Sequence, residues 1–257
     1  MTWNILPRAQ RGMFDRVDAF VRDVRALKTE GELAEALGEV SADLGFRYFA
    51  LTHHADVRRS SAAIRIHNYP PGWEEWFDDE GLGPIDPVHR ASHMTSVAFS
   101  WSNLEKLIPL TAGDRLVLEH ARKQGIGDGY TVPANVPGET HGSVSFAVET
   151  GTKLDPDRLP LTQLVGAFAF EAARSIRRLR EPVAHLPKLT DRQRECVVWA
   201  TRGKSDREIA QILGVSHETV IMHLKQARDR YGVAKRTLLA VHALFDGTIA
   251  FLDVFKS

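Results

Sequence analysis

The chain has 257 residues, 33 Lys and Arg balance 33 Asp and Glu, and 43% of it is apolar. This length holds one large domain or two unequal ones with ordinary packed cores, and no window approaches ~18 consecutive apolar residues, so neither a membrane span nor a membrane partner is expected. One cysteine, Cys196, excludes a disulfide framework, and the opening MTWNILPRAQRG lacks the charged-then-apolar layout of a secretory leader, so the expected compartment is the cytoplasm.

In chain order, residues 14–28 read as a helix with Phe14, Val17, Val21 and Val24 on one face. Thr29 and Glu32 form a capping box for a second helix that buries Leu33, Leu37, Val40 and Leu44 and stops at Gly45. YFALTHH and AAIRIHNY then read as strands, rich in aromatic and branched residues. PPGWEEWFDDEG is a short helix opened by proline, and DPVHRASHM starts another with Pro87 at its first position. SVAFSW is a strand and AGDRLVLEHARKQG a helix. GYTVPANV and GSVSFAVE form a hairpin around PGETH, and residues 158–180 form the longest helix, with Leu161, Leu164, Val165, Phe168, Ala172, Ile176 and Leu179 on its apolar side. Helices flanking about five strands predict a layered α/β domain over 1–180. The prolines of EPVAHLPK deny helix and ladder alike, so 181–188 is a semi-rigid linker.

The remainder, 189–257, is all helical by its signals. Thr190 with Gln193 and Ser205 with Glu208 are capping boxes, Gly203, Gly214 and Gly247 are stops, and Ser216 caps a third helix ahead of a fourth, RTLLAVHALFDG. The segments 206–213 and 217–231, separated by Gly214 and Val215, have the helix-turn-helix arrangement. From Val183 onward 12 Lys and Arg stand against 8 Asp and Glu, which makes this unit mildly basic and the rest mildly acidic. In the longer helix Val220, Leu224, Ala227 and Tyr231 share the packing face. Glu218, Ile221, Met222 and Lys225 are then presented outward, where a recognition helix meets base edges, and Lys204, Thr219, His223 and Arg228 flank them as phosphate contacts. A four-helix unit that binds a protein is the alternative.

LTDRQRECVVWATRGKSDREIAQILGVSHETVIMHL resembles the C-terminal DNA-binding domain of LuxR-type regulators, whose pattern reads L-T-x-R-E-x-E, G-K-S, E-I-A and T-V-x-x-H. Gln193 stands where that family has glutamate and Val197 where it has leucine; glutamine can still complete the capping box. NYPPGWEEWFDDEGLGPIDPVHR and AFSW resemble the autoinducer-binding domain of the quorum-sensing branch, an α-β-α sandwich that encloses acyl-homoserine lactones. The resemblance places ligand-binding positions on Tyr69, Trp73, Asp86 with Pro87, Trp101 and Ser145, a structural glycine on Gly129, and a wall on Phe77, where the family has tyrosine. It implies a lactone carbonyl on the Trp73 N–H, an amide N–H on Asp86 and an amide carbonyl on Tyr69, matching the donor and acceptor inventory of those side chains.

The expectation is a bacterial transcription factor with no cofactor beyond its signal ligand, binding double-stranded promoter DNA as a homodimer, with RNA polymerase as a further partner. A regulator of the same build answering to another small molecule, or to none, is the runner-up. An enzyme carrying a DNA-binding tail is disfavoured, since no G-x-S-x-G elbow occurs and QGIGDGY runs from helix to strand, the reverse of a dinucleotide loop. His89 and His93 have a spacing that can hold a metal, without an HExxH or a third ligand. RSIRRLR reads as the solvated end of the long helix.

Overall fold

The computed structural model describes residues 8–54, 63–83, 85–136, 140–177 and 187–255. The chain divides into two compact units, Met1–Arg180 and Glu181–Ser257. Residues 181–186 of the expected linker, Leu179, the end of RSIRRLR and most of the PGETH loop lie outside the described residues.

The first unit runs α1 (Arg8–Asp23), a 3-10 turn (Val24–Ala26), α2 (Glu30–Asp43), β1 (Tyr48–His53), β2 (Arg65–His67), α3 (Pro71–Asp79), α4 (Pro87–Ser92), β3 (Phe99–Ser100), α5 (Leu104–Leu107), α6 (Ala112–Lys123), β4 (Ile126–Ala134), β5 (Gly142–Glu149) and α7 (Leu159–Ile176). The five strands form one sheet in the order β2-β1-β5-β4-β3, and every pairing is antiparallel. Side chains alternate across the pleat, so each strand feeds two layers. Phe49, Leu51, Ile66, Val132, Val144 and Phe146 face α1, α2 and α7 and form the main core. The opposite face meets α3, α4, α5 and α6 through two smaller clusters, one around Trp73, Ile126 and Ala147 and one around Val88, Phe99 and Leu104. Helix layers on both faces of a sheet are the expected sandwich.

Two helices differ from their predicted form. The first begins at Arg8 and ends in the 3-10 turn, and it buries Val17, Phe20 and Val24 while Phe14 is exposed. The long helix buries Thr162, Val165, Gly166, Ala169, Phe170 and Ala173, while Leu164 is exposed and Leu161 and Phe168 are only partly covered. At Gly166 only a residue without a side chain fits, because the helix lies close on the strands there: a Cβ would sit 2.7 Å from Val132. Phe168 instead carries the Arg25 guanidinium over its ring at 5.1 Å.

The second unit contains α8 (Asp191–Thr201), α9 (Asp206–Leu213), α10 (His217–Tyr231), α11 (Arg236–Phe245) and α12 (Phe251–Phe255) around a core of Cys196, Val197, Ile209, Val220, Leu224, Ala227, Leu239 and Ile249. Both expected capping boxes form. Gln193 completes its box and, through its second amide atom, donates to Gln226 Oε1 at 2.9 Å, a bond that an ionised glutamate could not donate. Gly214 ends α9 at φ 65°, the left-handed conformation a tight interhelical turn needs. The unit exceeds its four expected helices: Ile249 is buried, and Asp253 holds the added α12 by accepting from Arg194 at 2.8 Å through its side chain and from Arg202 at 2.7 Å through its carbonyl.

Candidate functional site

The sheet face opposite α1, α2 and α7 carries a row of cross-strand partners: His67, Ala50, Ser145, Thr131 and Phe99. Above that row lies a cavity of about 700 Å³ of non-atom space, counted out to its open mouth. Its lining includes Tyr69, Trp73, Phe77, Asp86, Trp101 and Ser145, all six residues singled out from the sequence. They come from separate elements. Tyr69 follows β2, Trp73 and Phe77 stand four apart on α3, Asp86 caps α4, Trp101 opens the 3-10 turn after β3, and Ser145 lies in β5.

Local chemistry fixes these side chains. Asp86 is 6% exposed and accepts from the His89 backbone N–H at 2.9 Å as the N-cap of α4, while Pro87 at the first helical position gives up no hydrogen bond. Trp101 donates through Nε1 to Thr131 Oγ1 at 2.8 Å, and Thr131 in turn shares a 2.8 Å hydrogen bond with Ser145 Oγ. Gly129 makes room for that indole, since a Cβ there would lie 2.4 Å from the Trp101 ring. Burial and then the Asp86 charge push the Tyr69 phenol well above its ordinary pKa, so it stays a protonated donor at neutral pH. Trp73 is buried, with Trp76 at 5.4 Å and Phe77 at 5.6 Å between ring centres. Among the described residues its indole N–H has no acceptor.

The cavity also has a polar wall that sequence reasoning passed over. Arg65 places Nη1 2.8 Å from both Asp78 oxygens and Nη2 3.2 Å from Glu74 Oε1. His67 accepts from the Tyr69 N–H through Nδ1 at 3.3 Å, which leaves Nε2 as the N–H that faces Glu74 Oε1 at 3.3 Å. Burial lowers the His67 pKa, partly offset by Glu74. The period-2 pattern held the signal: residues 65, 67 and 69 alternate with Ile64 and Ile66, which go to the core. His89 and His93 both turn to His54. The His54 and His89 rings stack at 3.9 Å, and His54 Nδ1 lies 2.8 Å from His93 Nε2. Among the described residues no group of three or more possible ligands could hold a metal.

In the second unit Val220, Leu224 and Ala227 are buried, and Tyr231 anchors the end of α10 with its hydroxyl on Asp246 at 2.7 Å. Glu218, Ile221, Met222 and Lys225 are exposed together on the other side, with Ile221 at 42% and Met222 at 45%. Arg228 is half-buried beside them. The flank is less free than the sequence suggests. Lys204 is half-buried and pairs with Glu208 at 3.1 Å, and the Thr219 hydroxyl sits 3.0 Å from the Ser216 cap. His223 is half-buried, and its enclosed Nδ1 has no hydrogen-bond partner among the described residues.

The family model "Autoinducer binding domain" matches residues 29–173, and that of "Bacterial regulatory proteins, luxR family" matches 187–243. The chain belongs to the LuxR family of regulators. Among its relatives, the quorum sensing-dependent transcriptional regulator RpaR of Rhodopseudomonas palustris is 31% identical over 238 residues, 90% of this chain and 93% of that one. The HTH-type regulator y4qH of Sinorhizobium fredii is 30% identical over 197 residues, and the chain spans 60% of its length. Escherichia coli SdiA has the same fold, with a TM-score of 0.58 at 23% identity over 92% of this chain and 99% of that one. This LuxR-type chain joins an autoinducer-binding-domain fold to a helix-turn-helix. No helix among its described residues is long and apolar enough to cross a membrane.

Proposed function

We propose that this regulator binds an acyl-homoserine lactone in the cavity above β5 and that the ligand controls its attachment, as a homodimer in the cytoplasm, to two-fold promoter DNA. The observation that carries this reading is the convergence of Tyr69, Trp73, Asp86 and Trp101 from separate elements onto one cavity. A lactone head buried there needs a donor for each carbonyl and an acceptor for the amide N–H, because an unpaired polar group costs ~1–3 kcal/mol. Trp73 supplies the first donor, protonated Tyr69 the second and Asp86 the acceptor. Glu218, Ile221, Met222 and Lys225 are the proposed base-reading face, and RNA polymerase is the further partner of the promoter-bound dimer.

Trp73→Ala and Asp86→Ala should each abolish the response of a promoter reporter to acyl-homoserine lactones while protein levels persist. Mass spectrometry of ligand retained by the purified chain identifies the molecule directly. Unchanged dose-response curves in both variants would remove the pocket. A second reading, a different small molecule in the same cavity, draws on Phe77, which walls the site without the hydroxyl of the family's tyrosine. A retained ligand lacking a lactone would establish it.

A further inference from the structure

His54, His89, His93 and His141 form a cluster that the proposed ligand contacts do not use. His54 follows β1 and is buried, and it is engaged on both ring nitrogens: Nδ1 lies 2.8 Å from His93 Nε2, and Nε2 lies 2.8 Å from Ser143 Oγ. The His89 ring stacks on it at 3.9 Å, and the His141 ring lies 4.4 Å from that of His93. His93 and His141 are exposed, so solvent protons reach the cluster from this rim. The cluster bears on the cavity through α4. That helix has six residues, too few to persist alone, and it positions two cavity-lining side chains, His89 and its N-cap Asp86. Its far end is fastened by the His54–His93 bond and by the Asn135 amide, which donates to the Ser92 carbonyl at 2.9 Å.

We propose that the His54–His93 bond is an acid-sensitive latch on α4, whose opening withdraws Asp86 and His89 from the cavity and releases the ligand. The proposal rests on the cavity being the ligand site, whether or not the ligand is a lactone. A 2.8 Å gap between two ring nitrogens holds one proton, because one imidazole must donate and the other accept. With both rings protonated, two N–H groups point at each other and two like charges meet across the gap. Ser143 and the stacked His89 keep His54 from turning aside. The charges that act on His54 come from His89 and His93 of α4, His141 ahead of β5 and His53 of β1, all of one sign. The nearby carboxylates are committed elsewhere: Asp86 accepts from the His89 backbone N–H at 2.9 Å, and Asp114 of α6 accepts from Arg90 at 2.8 Å. From α3 the cluster meets only the Phe77 ring, edge-on to His89, and from the end of β4 the neutral Asn135, which accepts from His141. Burial and then these histidines lower the pKa of His54; burial, then His141 and His89, lower that of His93. An opened α4 therefore takes up protons that the closed one refuses. The latch is fully stabilising above the ordinary histidine value of 6.5 and weakens as pH falls below it.

The test is hydrogen exchange of the full chain without ligand, at about pH 7.5 and about pH 5.5, corrected for the intrinsic exchange rate. Protection of the α4 amides should fall by about tenfold per pH unit below the histidine range for each proton refused, while that of α10 holds. His93→Gln, at an exposed position, should shrink this change, and adding His54→Gln should abolish it. Equal α4 protection at the two pH values, or an undiminished loss in His93→Gln, overturns the latch. Equilibrium dialysis of octanoyl-homoserine lactone then reads release: retention by wild type should fall at the lower pH in step with α4 protection, and His93→Gln should retain more there. Equal retention at both pH values while α4 opens overturns the coupling of latch to cavity. No retention at either pH, with α4 still opening in acid, removes the lactone reading and leaves the latch standing.

Discussion

Gly129 shows how a single missing Cβ builds the cavity. The Trp101 ring occupies the space a side chain would take, and from there its N–H reaches Thr131 at 2.8 Å, which in turn holds Ser145. Gly129→Ala has to displace an aromatic ring from a packed layer. We expect a loss of ~1–3 kcal/mol in stability and a rightward shift of the ligand dose-response curve, read by thermal unfolding and a reporter. An unchanged curve would show that Trp101 does not shape the site. At this scale the sequence was legible through its resemblance to a family pattern. The family resemblance named Trp73, Asp86 before Pro87, and Trp101, but Arg65 and Glu74 look like ordinary strand and helix-surface residues until β2 and α3 bring them to one cavity.

At the scale of elements, the helices of the second unit are specified by their ends. Ser205 and Glu208 bond reciprocally at the start of α9, and hydrogen bonds from the Ser205 backbone and hydroxyl and from Lys204 hold the Glu208 carboxyl down to about 2. Ser205→Ala should cost ~1 kcal/mol of stability in denaturant titrations. Because the folded pKa of Glu208 lies below its ordinary value of 4.5, its contribution is complete above that value and is lost as pH falls toward about 2. Glu208→Gln should therefore flatten the acid-induced loss of helix in that window, followed by circular dichroism.

The exposed side of α10 makes a different kind of prediction. Ile221 and Met222 offer no donor to guanine but can pack on a thymine methyl, while Lys225 can reach guanine and Glu218 a cytosine amino group. In a binding-site selection, Lys225→Ala and Ile221→Ala should each relax preference at one position by ~1–3 kcal/mol, whereas Arg228→Ala should weaken all sequences alike and flatten the salt dependence. Identical preferred sites from wild type and Ile221→Ala would show that this isoleucine reads nothing.

For the whole molecule, we propose that the exposed apolar side chains of α7 and α11 are where a second copy attaches. On α7, Leu164 is 38% exposed beside the partly covered Leu161 and Phe168; on α11, Leu238, Val241 and Phe245 are 44%, 58% and 54% exposed at helical spacing. One recognition helix reads only a half-site, so loss of either contact should weaken operator binding. Leu164→Glu and Val241→Glu should shift the ligand-bound protein toward monomer in sedimentation and raise the concentration needed to occupy a two-fold site. A dimer that survives both substitutions would place the interface elsewhere.

The sequence by itself determined whatever depends on short-range physics. Caps and left-handed glycines punctuate the helices of the second unit, so its helix-turn-helix and its packing stripe on α10 could be placed within a residue or two. Strand alternation likewise separated the core face of β5 from the face that carries Ser145. Tertiary structure decided the rest. The face α7 buries could not be chosen from hydrophobicity, because Leu161, Leu164 and Phe168 outrank Gly166 and Ala169 on any apolar scale, yet α7 approaches β4 too closely at Gly166 for a side chain there, and the Phe170 ring on the same face fits only against Gly142. The pairing that completes the charged wall of the cavity was equally out of reach, although strand alternation places Arg65 and His67 on its side of β2. Arg65 and Glu74 are nine positions apart in a chain where neither helix nor strand periodicity links them, and only the fold of α3 back over β2 turns two surface charges into a cavity-lining pair.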